Sequence, residues 1–186
     1  YDFLKDHLPQ LIADMEMAAN RVVKIVSDLK NFSRQSNIAE RSPLNLNTAV
    51  RNALRLSQST FRTSGLAIAL DLAEDLPEIE GNLQNVEQVV LNILVNAAQS
   101  IDHDHGEIVV RTGFTLKDGR VHLAISDNGK GVAPEIAERL FLPFVTDKQA
   151  QGGTGLGLSI SYGLVKAHGG DIGFEPRPAG GTTFTV

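Results

Sequence analysis

Cysteine is absent from the 186 residues, which excludes disulfide staples and thiolate metal sites and fits a reducing, cytoplasmic setting. An excess of positive charge is missing too. The chain has 17 Lys and Arg against 22 Asp and Glu, and its net charge of −5 gives no footprint for nucleic acid. No apolar run reaches the length of a membrane span or a signal peptide, so any anchor would lie in segments outside this chain. What is present is 42% hydrophobic content, over a length sufficient for one core and an appended helix.

Glycine is plentiful, and two clusters of it carry the most information. Asp127-Asn128-Gly129-Lys130-Gly131 follows the alternating run Val121 to Ser126, which predicts a strand and puts Asp127 at its end, where a carboxylate can face a pocket. Gly152-Gly153-Thr154-Gly155-Leu156-Gly157 leads into Leu158 to Val165, whose apolar spacing predicts a helix. Glycines before a helix start let backbone N–H groups approach an anion, and the helix N-terminus favours negative charge. Alone, Asp-Asn-Gly is ordinary turn chemistry. The second cluster matches neither the dinucleotide fingerprint nor the phosphate loop that ends in Gly-Lys-Ser/Thr.

A third segment joins them. Glu87 to Ser100 reads as an apolar helix interrupted by Asn92 and Asn96, four apart and so on one face. Asparagine is a mediocre helix former and costly to bury without partners. Two uses stay open: the amides cap backbone or face solvent, or their oxygens serve a hard cation such as magnesium.

These segments resemble the catalytic ATP-binding domain of sensor histidine kinases, within the wider gyrase, chaperone and mismatch-repair ATPase group. The likeness continues through Phe141-Leu142-Pro143-Phe144, Val145-Thr146-Asp147-Lys148 and Gly180 to Val186, and so covers essentially the whole chain. It implies that Asp127 accepts a hydrogen bond from the adenine amino group, with Gly129, Gly131 and Thr182 at the base pocket. It implies that Asn96 holds magnesium and that Asn92 lies near the terminal phosphate of ATP. Lys148 becomes a cation on the phosphate side. Phe141 to Gly157 becomes a lid anchored by Phe141 and Phe144, in which Gly153, Thr154, Gly155, Leu156 and Gly157 contact the nucleotide. ATP-hydrolysing relatives carry a water-activating glutamate where this chain has Asn92, and an amide is no effective general base. Transfer to another nucleophile is therefore expected in place of hydrolysis.

That nucleophile is not evident here. None of His7, His103, His105, His122 and His168 precedes the combined acidic-residue and downstream Asn/Thr-Pro pattern of the family's phosphoacceptor. Leu4, Leu8, Leu11, Met15, Ala18, Val22, Ile25, Leu29 and Phe32 follow a heptad seam that calls for a partner helix, unless the helix lies on its own domain. The segment resembles the second helix of the kinase dimerisation and phosphotransfer hairpin. The acceptor helix is then expected outside this chain, on the same or a partner chain, with a homodimer in the full-length protein and a response-regulator aspartate as the next recipient. Neither nucleic acid nor a membrane is an expected partner of this segment. Two other readings are a nucleotide-dependent switch without transfer, and a mainly dimerising module.

The expected organisation is a helix over 1–36, a linker over 37–43 and a catalytic domain over 44–186. Within the domain the patterns predict a short edge strand at Leu44 to Leu46, a helix at Asn47 to Thr60, a strand at Leu66 to Leu72 and the asparagine helix at Leu83 to Ile101. Paired strands follow at Glu107 to Leu116 and Arg120 to Ser126 around the Asp118-Gly119 hairpin signal. Helices at Pro134 to Arg139 and Leu156 to His168 precede strands at Asp171 to Glu175 and Thr182 to Val186. The fold class is α+β, a two-layer sandwich with a mixed, mostly antiparallel sheet and helices on one face, of the Bergerat type by resemblance.

Overall fold

The computed structural model describes residues 41–148 and 153–186, with backbone alone at 59, 60 and 62–64, and scattered helical positions between 7 and 26. Leu4, Ile25, Leu29 and Phe32 of the seam, residues 37–40 of the expected linker and lid residues 149–152 lie outside it. Seam residues Leu8, Leu11, Met15 and Val22 are exposed. Among the described residues no helix is long and apolar enough to cross a membrane.

Strands β1 (Ser42–Leu44), β2 (Ala67–Leu72), β3 (Ile79–Gly81), β4 (Glu107–Thr115), β5 (Arg120–Asp127), β6 (Gly173–Pro176) and β7 (Thr182–Thr185) form two sheets. The main sheet has order β2-β4-β5-β7-β6, with β2 parallel to β4 and every other pair antiparallel. Helices α1 (Leu46–Ser64), α2 (Leu83–Ser100) and α4 (Gly157–Ala167) form the second layer, and α3 (Pro134–Ala137) is a single turn. The expected α+β sandwich is the observed one. A small correction concerns the first strand, which starts at Ser42 and pairs antiparallel with β3 in a separate two-stranded sheet, with Pro43 opposite Glu80. Proline is tolerated there because so small a sheet has only edge strands.

Helix α1 also runs further than expected, because no breaker occurs before Gly65. That glycine stops it at φ 64° in the left-handed region. At the other end the Asn45 side chain accepts from the Asn47 N–H at 2.9 Å. The hairpin between β4 and β5 closes on Thr115 opposite Arg120, so its turn has four residues in place of the tight pair that Asp118-Gly119 suggests. Gly119, at φ 67°, donates to the Thr115 carbonyl at 2.9 Å.

The core fills the space between the layers. Helix α2 buries Val89, Val90, Ile93, Leu94 and Ala97 against Ile108, Val110, Leu123 and Ile125 of the sheet. Ile93 and Leu94 are fully buried, and cutting either to alanine carries the usual cost of about 2–5 kcal/mol. The apolar stripe leaves the neighbouring face of α2, with Asn92 and Asn96, turned toward the loops at one edge of the sandwich.

Helix α4 ends at a pair of glycines. Gly170 donates to the Val165 carbonyl and Gly169, at φ 78°, to that of Lys166, both at 3.0 Å, which together make a Schellman stop. His168 at that end joins two elements: its Nδ1 meets the Leu164 carbonyl at 2.8 Å and its Nε2 accepts from the Asn82 N–H at 3.0 Å.

Candidate nucleotide site

One cavity of about 290 Å³ lies where α2, the end of β5, the loop after it and the start of α4 meet. Asn92, Asn96, Asp127, Gly131, Lys148, Gly153, Thr154, Gly155, Gly157 and Thr182 all line it, although they span 91 positions of the chain. Gly129 and Leu156 do not. Gly129 lies behind the wall, where a Cβ would collide with the hydroxyl and carbonyl of Ser100, and Leu156 is a core residue at 5% exposure.

The Asp127 end is fastened on every side. Asp127 is 1% exposed, and its Oδ1 accepts from the Ser100 hydroxyl and the Gly129 N–H, each at 2.9 Å. Its backbone carbonyl accepts from Arg177 Nη1 at 2.7 Å. Gly181, at φ 90°, passes so close that a Cβ would strike that same carbonyl. Thr182, 3% exposed, follows directly.

Asn92 lines the cavity with its amide bonded to protein groups. Its Nδ2 donates to the Gly157 carbonyl at 2.9 Å and to Ser161 Oγ at 3.1 Å, and its Oδ1 accepts from Gln88 Nε2 at 2.8 Å. The Nδ2 end thus joins α2 to α4, while the Oδ1 end is bonded within α2 itself. Asn96 differs again: its side-chain amide makes no hydrogen bond among the described residues, while its backbone carbonyl accepts from Lys148 Nζ at 3.2 Å.

The lid end is held by its margins. Phe141 packs on Tyr162 at 5.7 Å and Phe174 at 6.2 Å between ring centroids. Phe144 does not anchor by its side chain as expected, being 62% exposed with φ 66°; its N–H instead donates to the Gly155 carbonyl at 2.9 Å and ties the two margins together. Gly155, at φ 68°, permits this, since a Cβ there would lie 2.5 Å from the Phe144 carbonyl carbon. Lys130 Nζ meets Asp147 Oδ2 at 2.9 Å across the mouth. Burial pushes the Asp147 carboxyl up, but the hydrogen bond and charge of Lys130 outweigh it and hold it below the usual carboxylate value. Burial pushes the Lys148 ammonium below an ordinary lysine; the Lys130 charge adds to this, and Asp147 and Asp127 oppose it.

A family model for histidine kinase-, DNA gyrase B- and HSP90-like ATPases matches residues 81–186, more than half of the chain. The chain belongs to this ATPase family. Among curated relatives it is 40% identical over 167 residues to the C4-dicarboxylate transport sensor protein DctB of Rhizobium meliloti (strain 1021), covering 89% of this chain and 26% of that protein. It is 42% identical over 131 residues to the sensory histidine kinase/phosphatase NtrB of Vibrio alginolyticus, covering 65% of this chain and 36% of that protein. The chain therefore spans about a quarter to a third of these relatives. Full-length ShkA, solved in complex with AMPPNP, superposes with a TM-score of 0.76 at 26% identity over 95% of this chain and 37% of that one. The catalytic domain of histidine kinase ThkA superposes at 0.69 with 28% identity over 78% of this chain and 93% of that one. As a member of this ATPase family, the chain corresponds to the catalytic segment of sensor histidine kinases.

Sequence reasoning missed Ser100, Ser161, Arg177 and the Lys130–Asp147 pair. A signal for Ser100 was present: it continues the interval of Asn92 and Asn96 by another four residues. The partners of Ser161, Arg177 and Lys130 come from distant segments, so no local pattern marks them.

Proposed function

We propose that this segment binds ATP with magnesium and presents the terminal phosphate to a histidine on another segment, from which a response-regulator aspartate receives it. The observation that carries this reading is the set of carboxylates around the cavity. Among the described lining residues only Asp127 and Asp147 are acidic; the first is fixed to Ser100 and Gly129, and the second is paired with Lys130. Asn92 offers an amide already bonded at both ends. Among the described lining residues no further carboxylate is available as a base for water, which favours delivery of the phosphate over hydrolysis.

The other roles are consistent with this. Leu91, Val95, Val132 and Ile136 give the cavity apolar walls that suit a flat base, with the carboxylate of Asp127 as its hydrogen-bond acceptor. The unbonded Asn96 amide offers the oxygen that a hard cation prefers. Magnesium, when bound, would neutralise and align the phosphate oxygens. Lys148 would move its ammonium from the Asn96 carbonyl to a phosphate, and the 11-residue α4 starts at the lining glycine Gly157, with its positive end toward the site. None of the five histidines lines the cavity, which supports an acceptor elsewhere. We place the segment in the cytoplasm, where ATP and a response regulator meet. Isothermal titration of this chain should give magnesium-dependent ATP binding, and labelled ATP should leave negligible acid-labile phosphate on it. Rapid phosphate release by the chain alone would overturn the delivery reading.

A further inference from the structure

Ser100 is a polar side chain that the nucleotide reading leaves without a role. It is 8% exposed, lines the cavity and ends the stripe of Asn92 and Asn96. Its hydroxyl lies 2.7 Å from the Ala97 carbonyl and 2.9 Å from Asp127 Oδ1. One hydroxyl proton therefore faces two acceptors, of which the charged carboxylate is the stronger. The Gly129 N–H donates to the same Oδ1 at 2.9 Å. Oδ1 is held by the helix end and by its own loop, while Oδ2 has no partner among the described residues. The carboxylate cannot turn without giving up both donors. The loop is pressed onto the helix end by design of its residues: Lys130 N–H donates to the Ser100 carbonyl at 3.0 Å, and only a glycine fits at 129.

We propose that Ser100 is a positioning residue for base discrimination: it fixes the Asp127 carboxylate so that the free oxygen accepts from an amino group at purine position 6, and the pocket thereby prefers 6-amino to 6-oxo purines. The proposal rests on the adenine-nucleotide reading above. Its physical basis is the direction of the hydrogen bond. A carboxylate oxygen only accepts, a 6-amino group donates, and a 6-oxo group would set lone pair against lone pair. Without the serine donor the carboxylate is less well oriented, and a water inserted between it and the base can serve either kind of purine.

ATP and inosine triphosphate differ at this position of the base, so their dissociation constants on the 186-residue chain and its variants isolate the effect. The unmodified chain should favour ATP. Ser100→Ala should weaken ATP binding about tenfold while changing inosine triphosphate binding by less than about twofold. Ser100→Thr keeps the hydroxyl and should retain the original ratio. An unchanged ratio in Ser100→Ala, an equal loss for both nucleotides, or loss of discrimination in a folded Ser100→Thr would overturn the role of Ser100 and leave the nucleotide pocket standing. Failure of the unmodified chain to bind ATP would overturn the pocket reading and this proposal together.

Discussion

The two ends of the cavity are built on opposite principles. At the Asp127 end a carboxylate that is 1% exposed has its side chain and carbonyl gripped from α2, from its own loop and from Arg177, and glycine backbone packs against it too tightly for any side chain. At the lid end a half-exposed ion pair and one backbone hydrogen bond between Phe144 and Gly155 hold the margins, and Lys148 rests on a backbone carbonyl. The difference teaches where preorganisation is placed. On the proposed reading the Asp127 end takes the base, which is rigid and neutral and can be recognised by a fixed acceptor at little entropic cost. On the same reading the other end takes the triphosphate, which is flexible and charged, so the groups proposed to meet it would exchange one set of contacts for another.

That contrast can be broken most severely at Asp127. In Asp127→Asn the side-chain oxygen still accepts from Ser100 and Gly129, but an NH2 donor then faces the cavity. ATP affinity should fall about 100-fold, with the thermal midpoint little changed, measured by titration and melting of the same samples. Gly181→Ala attacks the same end through the backbone, since φ of 90° and the nearby Asp127 carbonyl leave no room for a methyl group. It should cost about 1–3 kcal/mol in denaturant unfolding, whereas Gly153→Ala in the lid, with its nearest contact at 3.0 Å, should cost distinctly less.

Lys148→Met should weaken ATP about tenfold and leave adenosine binding unchanged, which separates the two ends by ligand. The pH dependence has a definite sign. Burial lowers the Lys148 value in the folded chain, so between that value and the ordinary 10.5 the folded chain holds fewer protons than the unfolded one, and this lysine's contribution to stability rises with pH. Triphosphate affinity should fall over the same alkaline window as the ammonium is lost. The smallest effect is expected for Asp147→Asn, because side chains that are 41% and 29% exposed form a screened pair worth about 0.5 kcal/mol or less. The Asp147 value is held below 3.8, so its contribution is present above that value and is lost as pH falls through the depressed one. A pH series of unfolding curves for Asp147→Asn and the parent chain checks this.

The sandwich was legible because its signals are local. Alternation in Val121 to Ser126, the apolar stripe of α2 and the Gly169 stop each specify an element from neighbouring residues. Ten of the twelve positions singled out in the sequence lie around one cavity. Less legible was what each side chain does there. The amide of Asn92 is bonded to Gly157 and Ser161, 65 and 69 positions away, and such pairings are set by packing of α2 on α4. The separate β1–β3 sheet was missed for a similar reason, as three-residue strands show no periodicity.

The central claim is that the cavity delivers phosphate and does not spend it on water. Its most direct test is to incubate this chain with γ-labelled ATP, magnesium and a separately folded phosphoacceptor hairpin from a sensor histidine kinase relative. Label should appear on the hairpin as acid-labile phosphohistidine, depend on Asp127, and outpace the release of inorganic phosphate. Release of labelled phosphate with no label on the hairpin would contradict the claim.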